Sequence, residues 1–587
     1  MPSEIHIIGG LGFFPGFCEN LFGLRLSQRR QQRIDLTDRS SGEFRYDVFE
    51  PMPETDVIGL ACGSEGIKDR QALTAGFTSG EKAILPDGRL RCHQNILRQI
   101  RPFFAYRLEK CETITYSIVK MGENSMLIRF ICENFKSFGK KTVFSMVASK
   151  ITRHPDHIVI KNKKRILRGA YIFGANAAGK SNFIQAIDFA RRIIINGLDR
   201  VDCSKKSFLL APKNQENPIG SFQFDIAVKD KFFSYGFAIN YQLSEIEAEW
   251  LYENDSDGRE KCLFSRNKND RGETFIESEI KFTKEEQNRF NVHKADFSGA
   301  GMRKTLFLCD MAKRSSTNSV FSSSLSEVFL WFKKLLVIFP ESHFTGIPSF
   351  SIDVISRKIF SEWLKHFDTG IDSLVQTIVP EEKFWERFPI EIRERMKSDI
   401  LSNLPPNHGL AVVSINENGT NYCISRKNGK IQIIKVLSNH GRADALFERQ
   451  DESDGTRRLF DLLPLLQLQN NGRVIVIDEL DRSLHTKATL EFLRMFYEFN
   501  DNSESQIIVT THDDDILDLD TIRQDEIWFV ERDEDKSSHL FSLSKFKARF
   551  DNDIRKGYLL GRYGALPIFD KIASLKNNST RKGHLDD

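Results

Sequence analysis

Eight residues, Gly174-Ala-Asn-Ala-Ala-Gly-Lys-Ser181, fit the pattern G-x-x-x-x-G-K-S. An apolar run precedes them (Arg168–Phe173) and a segment of helical period follows (Asn182–Asn196). That context gives the motif its chemistry. Glycines let successive backbone N–H groups wrap phosphate oxygens, and the helix N-terminus adds positive potential. The expected cradle is Gly174, Ala175, Asn176, Ala177, Ala178 and Gly179, continued by Lys180, Ser181 and Asn182. In it Lys180 reaches the β- and γ-phosphates and Ser181 ligates magnesium.

About 300 residues later, Arg473-Val-Ile-Val-Ile-Asp478-Glu479 reads as a buried strand ending in two carboxylates. Strands of open α/β sheets end at a ligand crevice, so Asp478 is expected to hold magnesium and Glu479 to polarise an attacking water. A strand that merely ends in acidic residues is the plainer reading, but a phosphate loop needs such a partner. Glu452-Ser-Asp-Gly-Thr-Arg-Arg458 opens an apolar-periodic helix, LFDLLPLLQL. It places the Ser453 hydroxyl and the backbone of Asp454 and Gly455 at a helix N-terminus, where an anion can bind. An ordinary helix cap would look the same; the position just before the acidic strand favours the functional reading. Gln506-Ile-Ile-Val-Thr-Thr-His512 is a further apolar strand, and it brings His512 beside the γ-phosphate.

The order of phosphate loop, S-D-G-T-R-R, V-I-D-E-L-D-R-S-L-H and T-T-H resembles the ABC-type ATPase heads of SMC-like and OLD-like proteins. More narrowly, residues 126–569 resemble stand-alone bacterial AAA/ABC-type ATPases of abortive-infection and Septu-like anti-phage systems. That resemblance is carried by NFKSFG near Met126, EWLYE at Glu249–Glu253, DEIWFVERD at Asp525–Asp533, FSLSKFK at Phe541–Lys547 and KGYLLGRYGALP at Lys556–Pro567. It implies an ATPase using ATP and Mg2+, with Lys180, Glu479 and His512 catalytic. It also implies Ser453–Arg457 as the signature loop, Asp481 as the D-loop residue and Lys136 near the nucleotide. In such heads two subunits pair head to tail around ATP, so a homodimer or higher oligomer is implied, with a nuclease or toxin as partner effector and DNA or RNA as a further partner. The signature departs from many relatives in having Asp454 where they have glycine. The glutamine loop has only Gln215 and Gln223 to offer.

Three rival readings compete with this one. Asn267-Lys-Asn-Asp270 reproduces an N-K-x-D guanine-reading motif, but it lies in a polar turn and precedes the acidic strand instead of following it. A nuclease could use Asp513–Asp515 with Asp518 and Asp520, yet the 75 residues after His512 are short for a metal-binding nuclease domain. Those aspartates read better as caps. A nucleotide-gated scaffold would retain the same motifs and turn over slowly, and a DNA-repair or DNA-surveillance ATPase would share the whole motif set.

The elements needed to position these residues are those of an α/β P-loop NTPase of ABC type, with a β-rich lobe and a helical insertion between the phosphate loop and the signature. Residues 126–250 are expected to form the first ATPase lobe. MLIRFICENFKSFGKKTVFSM reads as two strands joined at Ser137–Gly139, and two strands follow (Phe222–Val228, Phe232–Tyr241). Residues 251–440 are expected to be an inserted mixed or helical region, charged and turn-rich to about 310 and then helical around Trp331, Trp363 and Trp385. Residues 441–587 form the second lobe. Residues 1–125 stand apart, with 12 Arg against 4 Lys and no sustained period. They are either an extension upstream of a start at Met126 or a poorly ordered accessory segment.

A net charge of +3 over 587 residues gives no general basic field for nucleic acid or an anionic membrane. Nine cysteines without a C-x-x-C pair argue against a zinc ribbon, and they fit buried thiols in a reducing cytosol. The start MPSEIHIIGG is not a secretion signal, and no apolar run has membrane-spanning length, so a cytoplasmic protein without membrane contact is expected.

Overall fold

In a computed structural model the described residues run from 125 to 566, apart from 211–217, 256–258, 270–271, 299–301, 315–319, 342–353, 387–389, 391–392, 395–396, 398–408, 412–421, 428–429, 443, 468–471, 500–503 and 547–553. Upstream only two short paired strands are described, β1 (Glu43–Phe44) and β2 (Leu90–Arg91). The expectations for the rest of 1–124, for Gln215, for Asp270, for Lys547 and for Pro567 therefore lie outside the described residues.

The chain divides into two compact units, one of residues 1–121, 347–365 and 370–451, the other of residues 122–346, 366–369 and 452–587. The second unit holds every phosphate-site motif. Its centre is a six-stranded sheet in the order β13 (Leu336–Ile338), β19 (Val474–Ile477), β20 (Gln506–Thr510), β7 (Gly169–Gly174), β21 (Ile527–Arg532), β22 (Ser538–Ser542). All neighbours are parallel except the edge pair β21 and β22. β7, β19 and β20 are buried at every residue, which is why they read as continuous apolar runs: strands covered on both faces have no polar side to alternate with. Parallel register aligns Ile477 with Val509 and Thr510 with Ile172, so the carboxyl ends of these three strands open on one edge.

A seven-stranded antiparallel sheet lies in the same unit, ordered β12 (Thr274–Glu277), β11 (Glu260–Lys268), β10 (Glu245–Asn254), β9 (Lys231–Asn240), β8 (Ile219–Val228), β3 (Ser125–Glu133), β4 (Thr142–Ser145). A hairpin, β5 (Ile158–Lys161) with β6 (Lys164–Leu167), leads into β7. Helix α1 (Lys180–Asn196) buries Phe183, Ile184, Ile187, Ala190 and Ile194 along one side, spaced three and four apart as a helix face requires. Phe183 sits among Phe130, Phe138 and Phe144, with ring centroids 5.7, 6.2 and 5.2 Å away. Gln506 joins the two sheets: its amide accepts from Leu127 N at 2.6 Å and donates to Leu127 O and Leu167 O at 2.9 and 2.8 Å. Such a buried amide stays only because each of its polar atoms has a partner.

The region expected as one insertion, 251–440, coincides with neither unit. Its first part completes the antiparallel sheet through β10, β11 and β12 and adds helices α2 (Lys284–Ser298), α3 (Phe307–Arg314) and α4 (Val320–Lys334) to the ATPase unit. Glu249, in the EWLYE segment, is buried there and accepts from Phe307 N at 2.6 Å and Leu308 N at 3.0 Å, so it caps α3. The other unit has helices α5 (Val354–His366) and α6 (Glu381–Trp385). It also has the sheet β14 (Ser373–Val379), β17 (Lys430–Asn439), β16 (Tyr422–Lys427), β15 (Gly409–Ala411), with β18 (Leu446–Phe447) on β17. Of these strands β14 lies where helical spacing was expected; the alternation in KIQIIKVL that pairs with it is the signal for the sheet.

The second unit is completed by α7 (Asp454–Gln467), α8 (Thr486–Glu498) and α9 (Ile554–Leu559). The KGYLLGRYGALP segment packs on β21, with Tyr558 and Tyr563 stacked at 5.3 and 5.9 Å from Phe529. No described helix is long and apolar enough to cross a membrane. Cys132, Cys203, Cys262 and Cys309 are free and buried.

Candidate functional site

The phosphate loop leaves β7 at Gly174 and re-enters regular structure at Lys180. A side chain at Gly174 would run into the Val530 carbonyl, so the close packing of β7 on β21 requires glycine there. At Gly179, with φ 122°, a Cβ would strike the Ser538 hydroxyl and lie 2.9 Å from that of Ser137. Ala177 holds a left-handed φ of 62°. The loop is stitched on both flanks: Asn182 Nδ2 donates to Ser137 Oγ at 2.9 Å and Ser538 Oγ donates to Ala178 O at 2.6 Å. Ser538 N also donates to Ser137 O at 2.6 Å. Ser137 was read from sequence only as a turn residue and Ser538 not at all, because serines 401 positions apart carry no local pattern.

Lys180 turns back over the loop, donating to Gly174 O at 2.6 Å and Ala175 O at 3.2 Å, with His512 Nδ1 at 3.3 Å. Burial pushes its ammonium down to about 8 against the opposing pull of Asp478, Asp481 and Glu479. The carboxylates come from the neighbouring strand ends. Asp478, buried, accepts from Ser181 Oγ at 3.2 Å and from Thr510 Oγ1 at 2.6 Å. Thr510 Oγ1 also accepts from Glu479 N at 2.8 Å, so one threonine sets both acids. Glu479 has a left-handed φ of 50°, and its Oε1 lies 3.9 Å from His512 Nε2. Asp481 receives His512 N at 3.3 Å on both oxygens. A histidine whose Nδ1 accepts from Lys180 carries its proton on Nε2, toward Glu479.

Thus the expected residues Lys180, Ser181, Asp478, Glu479 and His512 converge through Thr510, which sequence reasoning passed over. Ser453, Asp454 and Gly455 do not join them: among the described residues, no hydrogen bond or ion pair links these three to Gly174–Asn182. Ser453 Oγ accepts from Thr456 N at 3.1 Å and so caps α7; Asp454 pairs with Arg457. The connection from α7 to the acidic strand runs instead through Arg458. Its Nη2 donates to Glu479 O at 3.0 Å, with Asp478 O at 3.5 Å, while Nε and Nη1 have no hydrogen-bond partner among the described residues. Lys136 holds a left-handed φ of 49° and its ammonium bonds the Gln185 amide on α1. Gln223 bonds Asp225 at 2.8 Å within β8.

The rival motifs have structural occupations. Lys268 of the N-K-x-D segment pairs with Glu245 and Glu247 at 3.2 and 3.1 Å. Asp513 caps a single turn through Asp515 N at 3.1 Å, and Asp514 and Asp515 pair with Arg555.

A phosphate loop on one parallel strand, an acid pair two strands away and a histidine on the strand between define an α/β P-loop NTPase fold. Residues 170–296 and 387–518, together less than half of the chain, match the family described as "AAA domain, putative AbiEii toxin, Type IV TA system". Two solved structures are similar over 71% of this chain and 98% of their own. They are the "Crystal structure of the SmcHead bound to the C-winged helix domain of ScpA" (15% identity, TM-score 0.33) and the "SMC head domain from Thermotoga maritima" (13%, 0.26). No curated protein matches the chain.

Proposed function

We propose that the chain binds ATP at Gly174–Asn182 and hydrolyses its γ-phosphate bond. The observation that carries this reading is the convergence of Lys180, His512, Glu479 and Asp478 at the ends of three adjacent parallel strands. Backbone N–H groups of the loop and the N-terminus of α1 receive the phosphates, and Lys180 leaves the Gly174 and Ala175 carbonyls to meet them. Glu479, half exposed, takes the proton of the attacking water, and His512 Nε2 orients charge beside it. Ser181 and Asp478 offer an oxygen-only pair suited to magnesium, which when bound with ATP neutralises developing phosphate charge.

The partner side of the site is supplied by a second copy. Ser453 and Gly455 stand at the start of α7 without, among the described residues, a hydrogen bond to their own phosphate loop, and this supports a reading that pairs two chains head to tail. For the cellular role, the toxin–antitoxin family description and the motif resemblance support a reading as an ATP-gated regulatory subunit for a toxin or nuclease in phage defence. The test of hydrolysis is Glu479→Gln, which keeps shape and loses basicity. ATP should still bind, with Kd within about threefold, while turnover falls by about 10²-fold or more. Wild-type turnover in that variant would remove Glu479 from the chemistry.

A further inference from the structure

Away from the phosphate loop, His154-Pro-Asp-His157 forms a single tight turn before β5. One ligand atom from each of His154, Asp156 and His157 lies within 4.8 Å of the others. His154 holds a left-handed φ of 47° and His157 N donates to its carbonyl at 3.2 Å, which folds both rings to the same side with centroids 5.0 Å apart.

The outer hydrogen bonds fix what the inner atoms can do. His154 Nε2 lies 2.9 Å from the Leu519 carbonyl, an acceptor only, so that nitrogen carries the proton and Nδ1 keeps a lone pair. His157 Nδ1 lies 3.1 Å from both oxygens of the fully buried Glu526, so its Nε2 keeps the lone pair, 3.7 Å from Asp156 Oδ2. A ring nitrogen tied to a carboxylate or carbonyl, with the other left basic, is the arrangement that orients histidine toward a metal. With those nitrogens basic, the turn offers two imidazole lone pairs and a carboxylate to a cation.

The framework is rigid. Buried Arg523 donates to the carbonyls of Ile151 and Arg153, lies 3.5 Å from that of His154, and is itself held by Asp525 at 2.9 Å. Arg168 Nη1 donates to Asp156 O at 2.9 Å, and the His157 ring stacks on Tyr497 at 3.5 Å. Asp156 is half exposed while His157 is buried, so an ion has an entry side and an inner wall.

We propose that His154, Asp156 and His157 bind a first-row divalent metal of the zinc class, with a fourth position open to water. Two imidazoles and one carboxylate favour zinc over magnesium or calcium, which take oxygen sets. The ion locks the turn before β5 against the segment Leu519–Glu526 that leads into β21.

The test uses the full chain, stripped with chelator, nucleotide-free, and titrated with cobalt(II) alone and then zinc. The expected result is the intense visible absorption of four-coordinate cobalt, saturating at one equivalent and erased by zinc. A six-coordinate oxygen site at Ser181 and Asp478 would not give that absorption. Asp156→Asn should weaken cobalt binding at least tenfold, and His154→Asn, whose side chain tolerates the left-handed backbone, should do the same. Far-UV circular dichroism and ATP binding report that the variants are folded. Asp156 is exposed enough that its variant alone decides the matter should His154→Asn misfold. Absence of the cobalt band in wild type, or equal titrations in wild type and Asp156→Asn, would overturn the site; a band that survives the variants assigns cobalt elsewhere and overturns it equally.

Discussion

Arg458 Nη2 donates to the backbone carbonyl of Glu479 at 3.0 Å, so the helix that begins at Ser453 holds the peptide behind the proposed catalytic base. Arg458→Gln should lower ATP turnover about tenfold or more and leave ATP affinity within about threefold, because the lost interaction positions the base and not the phosphate loop. Equal losses in affinity and turnover, from equilibrium binding and single-turnover kinetics, would place Arg458 in general stability instead.

The lowered proton affinity of Lys180 gives two pH signatures. Its folded value is about 8 against 10.5 for an ordinary lysine. Between those values the unfolded chain holds a proton that the folded chain has lost, so this group's contribution to stability rises with pH through that window. Phosphate binding restores the proton, so above pH 8 ATP affinity should fall by up to about tenfold per pH unit, with proton uptake visible by calorimetry in buffers of different ionisation heat. Lys180→Arg stays charged and should bind with a flat profile from pH 8 to about 9.5; a flat wild-type profile would contradict the lowered value.

Head-to-tail pairing can be tested by mixing inactive chains. Any side chain at Gly455 would press on Ser483 O at 2.9 Å, so that position is a poor choice. Ser453→Asp is better, since aspartate caps a helix as well as serine does while placing a negative charge where a partner's γ-phosphate would arrive. Lys180→Ala and Ser453→Asp should each be nearly inactive, and an equimolar mixture should recover up to about one quarter of wild-type turnover if subunits pair at random. A mixture that exchanges subunits and stays inactive at every ratio would contradict independent shared sites.

What the sequence made legible was local. The glycine loop, the VIVI strand and the helix cap at Ser453 declare themselves because backbone geometry and burial restrict which residues can stand there. The neighbour relations were not legible. Nothing in Gln506–Thr510 says that it pairs with Gly169–Gly174, or that Thr510 will set both acids; these are long-range pairings decided by the whole sheet. Trp331, Trp363 and Trp385 do lie in helices, yet the strand Ser373–Val379 was hidden behind a helical reading of the region around those tryptophans. The His154 turn escaped because metal sites were sought through cysteine pairs.

The aromatic cluster around Phe183 should dominate the stability of the ATPase unit. Phe183→Ala removes a ring enclosed by Phe130, Phe138 and Phe144 and should cost about 3–5 kcal/mol in urea denaturation. Exposed Leu209→Ala should change stability by less than about 0.5 kcal/mol. Similar midpoints for the two variants would show that the cluster is not a core.

The stitching of the phosphate loop by Ser137 on one flank and Ser538 on the other sets an order of assembly. The loop strand β7 is made early in synthesis, but both its neighbours in the sheet, β20 and β21, emerge more than 330 residues later, and Ser538 later still. A nascent chain that has translated the whole glycine motif therefore has no finished place to put a phosphate. The surroundings of the loop are completed only within the last seventh of the polypeptide, from β20 through β22.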